Sequence, residues 1–316
     1  MRGCSTLNFG MDLQGCGTAL VTPFRPDGAI DEVALHAHVN WQIANGISLL
    51  IPTGTTGETA TLSENEWLRV IEITVNAAAG RVPVFAGATH NNTAQAVVNA
   101  RMLSHIDGLT GILMANPYYN RPGQEGQFQH FRAIAEAVDI PILLYNIPGR
   151  TGANLEPDTV LRLTEFPNIV GIKESSGIMS QITSIVTQAP RSFRVFAGDD
   201  ALCLPTIAVG GVGLISVASN AVPQQMTRMV EAALTDNWVG ARRINRQYFK
   251  LIQALFSEPS PAPIKAVLTL LGRGNEILRL PMVPVTTPTR RKLERILGEL
   301  GLLFDQPIRD GNLRVF

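Results

Sequence analysis

Charge is scarce in this chain of 316 residues. Only 16% of them are charged, and 26 basic residues balance 26 acidic ones; an ordinary globular domain carries about 25%. Phosphate backbones and anionic membranes are gripped by clustered positive charge, and no Lys/Arg block is present. This argues against a nucleic-acid or membrane partner and for a small molecule. Cysteine is scarcer still. Cys4, Cys16 and Cys203 are too few and scattered for a disulfide framework or a thiolate metal site, and they point to a reducing, cytoplasmic compartment. The five histidines offer no metal site either: His36 and His38, two apart on an expected helix, point different ways. A continuous apolar span is also missing. Residues 201–227 carry no formal charge, but Pro205, Gly210, Gly211 and Pro223 interrupt them before the ~20 apolar residues that cross a bilayer. A buried helix followed by a buried strand is expected there. Residues 1–10 lack the apolar stretch of a secretory signal and read as a disordered extension, with Met11 an alternative start.

Lysine is the last scarcity. Of 26 basic residues only Lys173, Lys250, Lys265 and Lys292 are lysine, so wherever a plain positive charge would serve the chain almost always uses arginine.

What the chain does have is a rhythm. Apolar runs recur at 17–21, 48–51, 84–86, 111–114, 142–145, 169–172, 195–197 and 213–217. Each is followed by a turn and a helix-period segment. The runs are continuous rather than alternating, as in parallel strands buried on both faces. Asp31 and Gly46 bracket the first helix, and Ser63-x-x-Glu66 has the form of a capping box. Eight strand–helix units match a (β/α)8 TIM barrel over residues 11–235, with residues 236–316 as further helices packed on it. A doubly wound sheet is the alternative, but no Gly-x-Gly-x-x-Gly turn follows the first run.

In such a barrel the reacting groups lie at the carboxyl ends of the strands. Lys173 ends the sixth run and is the one lysine in the barrel portion. Burial there strips solvent from the charged form and favours a free amine able to attack a carbonyl; an ion pair with Glu174 or Asp199 is an equal alternative. Tyrosine is rare, four against 12 phenylalanines, and Tyr118, Tyr119 and Tyr145 end the fourth and fifth runs. Retained phenols suggest hydrogen bonding or proton transfer, although Tyr118 reads better as rim packing. The turn GTTGE at 54–58 has glycines and hydroxyls fit for a small carboxylate nest, and Arg150 in a constrained loop can hold a second carboxylate. Amine, phenols, nest and cation together describe Schiff-base chemistry on a 2-oxo acid, with no metal or organic cofactor required.

GTTGE at 54–58, PYYNRP at 117–122, YNIPGRTG at 145–152, GIKESSG at 171–177 and GDDA at 198–201, in this order, resemble the dihydrodipicolinate synthase and N-acetylneuraminate lyase superfamily of class I aldolase-type barrels. The resemblance runs from Gly15 to Leu302 and is closest to the synthase branch. It implies pyruvate and L-aspartate 4-semialdehyde as substrates on the diaminopimelate route to lysine. By resemblance Lys173 is the Schiff-base lysine and Tyr145 the proton shuttle, relayed through Thr55 and through Tyr119 of a neighbouring subunit. Thr56 would bind the pyruvate carboxylate with a backbone contact from Ile215 nearby, Gly198 would be a further substrate-binding residue, and Arg150 would receive the carboxylate of the semialdehyde. A homo-oligomer is implied, a tetramer built as a dimer of dimers. Gln95 stands where lysine-inhibited members have Glu, and Glu64 and Trp67 where some have His, so weak or absent lysine feedback is expected. Ser260 replaces an Asn ahead of the Pro-x-Pro-x-Lys run at 261–265. Two other readings compete: a related pyruvate-dependent aldolase acting on a sugar acid or hydroxy-oxoglutarate, and a catalytically silent metabolite-binding barrel.

Overall fold

The structure is a computed structural model that describes residues 13–303; residues 1–10 lie outside that range. The chain alternates strand and helix. It runs β1 (Gly15–Ala19), α1 (Glu32–Ala44), β2 (Leu49–Ile51), α2 (Glu64–Ala78), β3 (Phe85–Gly87), α3 (Thr93–Leu103), β4 (Gly111–Ala115) and α4 (Gln124–Ala135). There follow β5 (Ile142–Asn146), α5 (Pro148–Thr151), α6 (Pro157–Leu163), β6 (Ile169–Glu174), α7 (Met179–Gln188), β7 (Arg194–Ala197), α8 (Cys203–Ala208), β8 (Gly213–Ser216) and α9 (Pro223–Leu234). Three more helices, α10 (Trp238–Ala254), α11 (Ala262–Leu270) and α12 (Thr287–Glu299), complete it.

All strand pairs are parallel, in the order β2-β1-β8-β7-β6-β5-β4-β3. The edge strands β2 and β3 meet through a parallel bridge between Leu50 and Val84, with the Leu50 amide donating to the Pro83 carbonyl at 3.0 Å. The sheet thus closes on itself as a TIM barrel. Local chemistry sets the helix starts. Asp31 accepts from the Ala34 amide at 2.9 Å, and Ser63 and Glu66 form the reciprocal capping box, each satisfying an amide that the first helical turn leaves open. One element departs from expectation: the YNIPGRTG segment contains a helical turn, α5, rather than a loop. Pro148 at its first position and Gly152 at φ 74° after its end supply the two conformations that start and stop a helix.

Apolar residues divide between two clusters. One fills the barrel and includes Leu113, Leu143, Tyr145, Phe196 and Ile215; the other lies between strands and helices and takes in Leu144 and Ile172. Neighbouring residues on a strand face opposite ways, so with Ile172 outward the next residue, Lys173, faces the barrel interior. The outer cluster also includes Leu251, Ile264, Val267 and Leu293, which places α10, α11 and α12 against the barrel as a helical layer. The segment 201–227 contains helix α8 and strand β8, and none of the described helices is long and apolar enough to cross a membrane. His36 is exposed and His38 buried, where it bonds Asn220 at 3.0 Å. Burial pushes His38 and His130 down to about 4, so both are neutral at pH 7.

Candidate active site

Parallel pairing of β5 and β6 sets Tyr145 directly beside Lys173. Both are buried, and the Lys173 Nζ lies 4.3 Å from the centroid of the Tyr145 ring. Among the described residues the ammonium forms no ion pair. Glu174, one candidate partner, is occupied elsewhere: it accepts from the Ser176 amide at 2.5 Å and from Asn146 Nδ2 at 3.0 Å and Gln181 Nε2 at 3.2 Å. Burial raises its carboxyl above the ordinary range. Asp199, the other, accepts from the Ala201 amide at 2.9 Å. The ion-pair reading of Lys173 therefore fails, and the amine is left next to a phenol.

Gly198, just after β7, makes room for Ser175 and for the lysine. A Cβ there would sit 2.0 Å from Ser175 Oγ, 2.9 Å from Lys173 Cγ and 3.0 Å from its Cε. Gly198→Ala is expected to displace the amine and slow its reaction with a keto acid roughly a hundredfold, the scale of an ångström misplacement, while the circular dichroism spectrum stays native. Unchanged reaction kinetics would show that the lysine has another path. In the neighbouring corner Asp200 accepts from the Ser216 hydroxyl and from the Val217 amide at 3.0 Å, which fixes the end of β8 just beyond Ile215.

Above these residues opens a cavity of about 770 Å³. Its lining brings together Thr55, Tyr145 and Arg150, with Tyr118 at its rim. Lys173, Thr56, Ile215, Gly198 and Tyr119 are not on that lining. Lys173, Thr56 and Ile215 are buried, and Lys173 Nζ lies over the ring of Tyr145, which is itself on the lining. Tyr119 is 87% exposed, with φ 76° and its amide on the Thr151 carbonyl at 3.2 Å. Its phenol points to no described partner within the chain. Arg150 is exposed at the mouth, and its Nη2 donates to the Ser260 carbonyl at 3.4 Å.

The GTTGE turn is held rigidly. Thr53, just before it, and Glu58, its last residue, lie in the left-handed region at φ 53° and 54°. The Gly57 amide donates to Gly54 at 3.1 Å, the Glu58 amide to Thr55 at 3.1 Å, and Thr22 Oγ1 to the Gly57 carbonyl at 2.7 Å. Sequence reasoning missed the group that anchors its end. Glu58 forms a buried ion pair with Lys265, and its other oxygen accepts from the Arg279 amide at 3.1 Å. Arg279 in turn bonds Glu66, whose carboxyl it holds down at about 2, and stacks 4.4 Å from the Phe24 ring. The one hint in the sequence was the Pro-x-Pro-x-Lys run itself.

A closed parallel barrel, a buried strand-end lysine against a phenol and a cavity above them define an aldolase-type enzyme. The chain belongs to the dihydrodipicolinate synthetase family, whose model matches residues 12–300. It is 59% identical over 299 residues to a 4-hydroxy-tetrahydrodipicolinate synthase of Acidobacterium capsulatum, which covers 94% of this chain and 99% of that relative. Identity to the same enzyme of Koribacter versatilis is 55%, over 93% of this chain and 98% of the relative. Among solved structures, a dihydrodipicolinate synthase of Cyanidioschyzon merolae with lysine bound is 40% identical, with a TM-score of 0.89 and coverage of 92% of this chain and 99% of the other.

Proposed function

We propose that this protein is a 4-hydroxy-tetrahydrodipicolinate synthase that condenses pyruvate with L-aspartate 4-semialdehyde through a Schiff base on Lys173. The observation that carries the reading is the juxtaposition of Lys173 Nζ and Tyr145 beneath a cavity whose mouth bears Arg150. Lys173 attacks carbon 2 of pyruvate; the carbinolamine loses water to give an iminium, which draws electrons from the adjacent methyl. Tyr145 is placed to move the protons, taking one to the carbinolamine hydroxyl and removing one from the methyl to leave an enamine. The enamine carbon attacks the aldehyde of the second substrate. The amine of that substrate then displaces Lys173 from carbon 2, which regenerates the lysine with one water lost overall. Chemistry of this kind asks for no metal or organic cofactor.

The turn with Thr55 and Thr56 takes the carboxylate of pyruvate, and Arg150 that of the semialdehyde, bidentately. Tyr119, exposed in one chain, supplies its phenol to the site of a second copy in a homo-oligomer, a dimer of dimers, in the cytoplasm. Incubation with pyruvate and borohydride, followed by assay of aspartate semialdehyde against sugar-derived aldehydes, tests the reading. Trapping with turnover of the semialdehyde supports it; trapping without that turnover redirects it to another pyruvate-dependent aldolase, and no trapping sinks both. Arg150→Ala is expected to leave trapping intact and to raise the KM for the semialdehyde roughly 10- to 100-fold, as loss of a charged hydrogen-bond pair does. An equal loss with both substrates would contradict the assignment.

The cavity extends to Gln95, Glu64 and Trp67. Gln95 is neutral and donates to Asn99 Oδ1 at 2.9 Å, while Glu64 is exposed and screened by solvent. Glu58, the buried carboxylate on the cavity lining, is taken up by Lys265 and the Arg279 amide, so among the described lining residues an amino-acid ammonium meets no unpaired buried carboxylate. Lysine is expected to inhibit weakly or not at all, and inhibition at micromolar lysine in an activity titration would overturn this.

A further inference from the structure

The Pro-x-Pro-x-Lys run has no part in the reading above, yet it reaches both carboxylate-binding elements. The Ser260 carbonyl accepts from Arg150, at 3.4 Å. One helical turn on, the Lys265 amide bonds the Pro261 carbonyl at 3.1 Å, and the Lys265 ammonium pairs with Glu58 at the end of the GTTGE turn. The two side chains are 2% and 1% exposed. The ammonium also donates to the Ile277 carbonyl at 2.9 Å and lies 4.3 Å from the Phe24 ring centroid, so its donors are met on every side. A dry ion pair of this kind costs much of what it gains through desolvation, which makes it a poor device for stability alone. What it does well is fix position. Ser260 and Pro261 lead directly into α11, and Lys265 stands three helical steps, about 4.5 Å, beyond its first residue, Ala262, so the link between the two ends is short and held by helical backbone.

We propose that residues 260–265 act as a strut between the two substrate carboxylate sites, with Lys265 as a positioning residue for both. The inference rests on the functional reading that the turn takes one carboxylate and Arg150 the other. Without the ammonium, the Glu58 end of the turn is released, and Thr55 and Thr56 shift relative to Lys173. The first turn of α11 loosens with it, and Arg150 loses its fixed acceptor. The signature is a paired rise in the half-saturation constants for both substrates while the chemistry at Lys173 is spared.

Lys265→Met alone strands a buried carboxylate and can unfold the chain, so the main variant is the double substitution Glu58→Gln/Lys265→Met, which removes both charges. In the full-length protein, three quantities are read: the pyruvate dependence of borohydride trapping, the trapping rate at saturating pyruvate, and the KM for the semialdehyde. The expected result is a roughly tenfold rise in half-saturating pyruvate and about a threefold rise in the semialdehyde KM, with the saturated trapping rate within about twofold of the unmodified protein. A folded double variant with both constants unchanged overturns the strut, as does one in which only the saturated trapping rate falls. If the double variant does not fold, Lys265→Arg, which keeps the charge but moves it, is expected to show the same paired rise, and unchanged constants there overturn the proposal equally. Failure of the underlying reading looks different, because the unmodified protein would then trap no pyruvate.

Discussion

Lys173→Ala is expected to abolish borohydride-dependent incorporation of pyruvate and to lower turnover by roughly 10⁴-fold or more, the scale on which loss of a catalytic nucleophile acts. Two buried lysines stand in contrast. Lys265 is at least as buried as Lys173, and burial lowers its ammonium from the ordinary range while Glu58 opposes the shift. Burial alone would therefore not tell the two apart. Their partners separate them. Lys265 spends its donors on a carboxylate and a carbonyl, which hold it charged and in place. Lys173 has no ion pair among the described residues and faces the ring of Tyr145, which lines the cavity that a substrate would enter. Since Lys173 ties no such pair, its removal should leave a cooperative thermal transition. Loss of trapping together with loss of that transition would make the result structural and deprive it of its meaning for catalysis.

Tyr145→Phe should leave the packing of the barrel interior intact and cut turnover by about 10² to 10⁴, the range of a lost general acid–base group. The ring is buried in the inner cluster with Leu113, Leu143 and Ile215, and phenylalanine fills the same space. Only the hydroxyl is deleted. Exchange of the pyruvate methyl protons with deuterated solvent, followed by NMR, reports proton removal from the iminium directly and should slow in parallel with turnover. Exchange and turnover within about threefold of the unmodified protein would reduce Tyr145 to a packing residue.

The eightfold rhythm was legible because both faces of a parallel strand are buried, so each of the eight apolar runs stands out against its polar turns. Strand ends were less so. β6 continues past Lys173 to Glu174, whose side chain is buried and hydrogen-bonded rather than solvated, one residue beyond the end expected at Lys173. The helical turn α5 was hidden in a segment rich in Pro and Gly, residues that signal a loop and a helix boundary equally well. The places of Lys173, Tyr145, Thr55 and Arg150 at strand ends and in turns were readable, while the roles assigned to them rest on the family resemblance. The Glu58–Lys265 pair was not, because its members lie 207 residues apart and only closure of the barrel against α11 joins them. Counting lysines pointed to one unusual amine where the structure has two, and the distinction between them required their surroundings. The sequence places Gly198 among the substrate-binding residues, and the structure adds that it leaves space for the side chains of Ser175 and Lys173.

The central claim is that the amine of Lys173 forms a covalent bond with the substrate. Incubation of the protein with pyruvate, reduction with borohydride and mapping of the modified peptide by mass spectrometry test it most directly. The account predicts a single reduced pyruvate adduct per chain, carried by the peptide containing Lys173. An adduct on Lys265 or another lysine, or an unmodified protein after reduction, would contradict it.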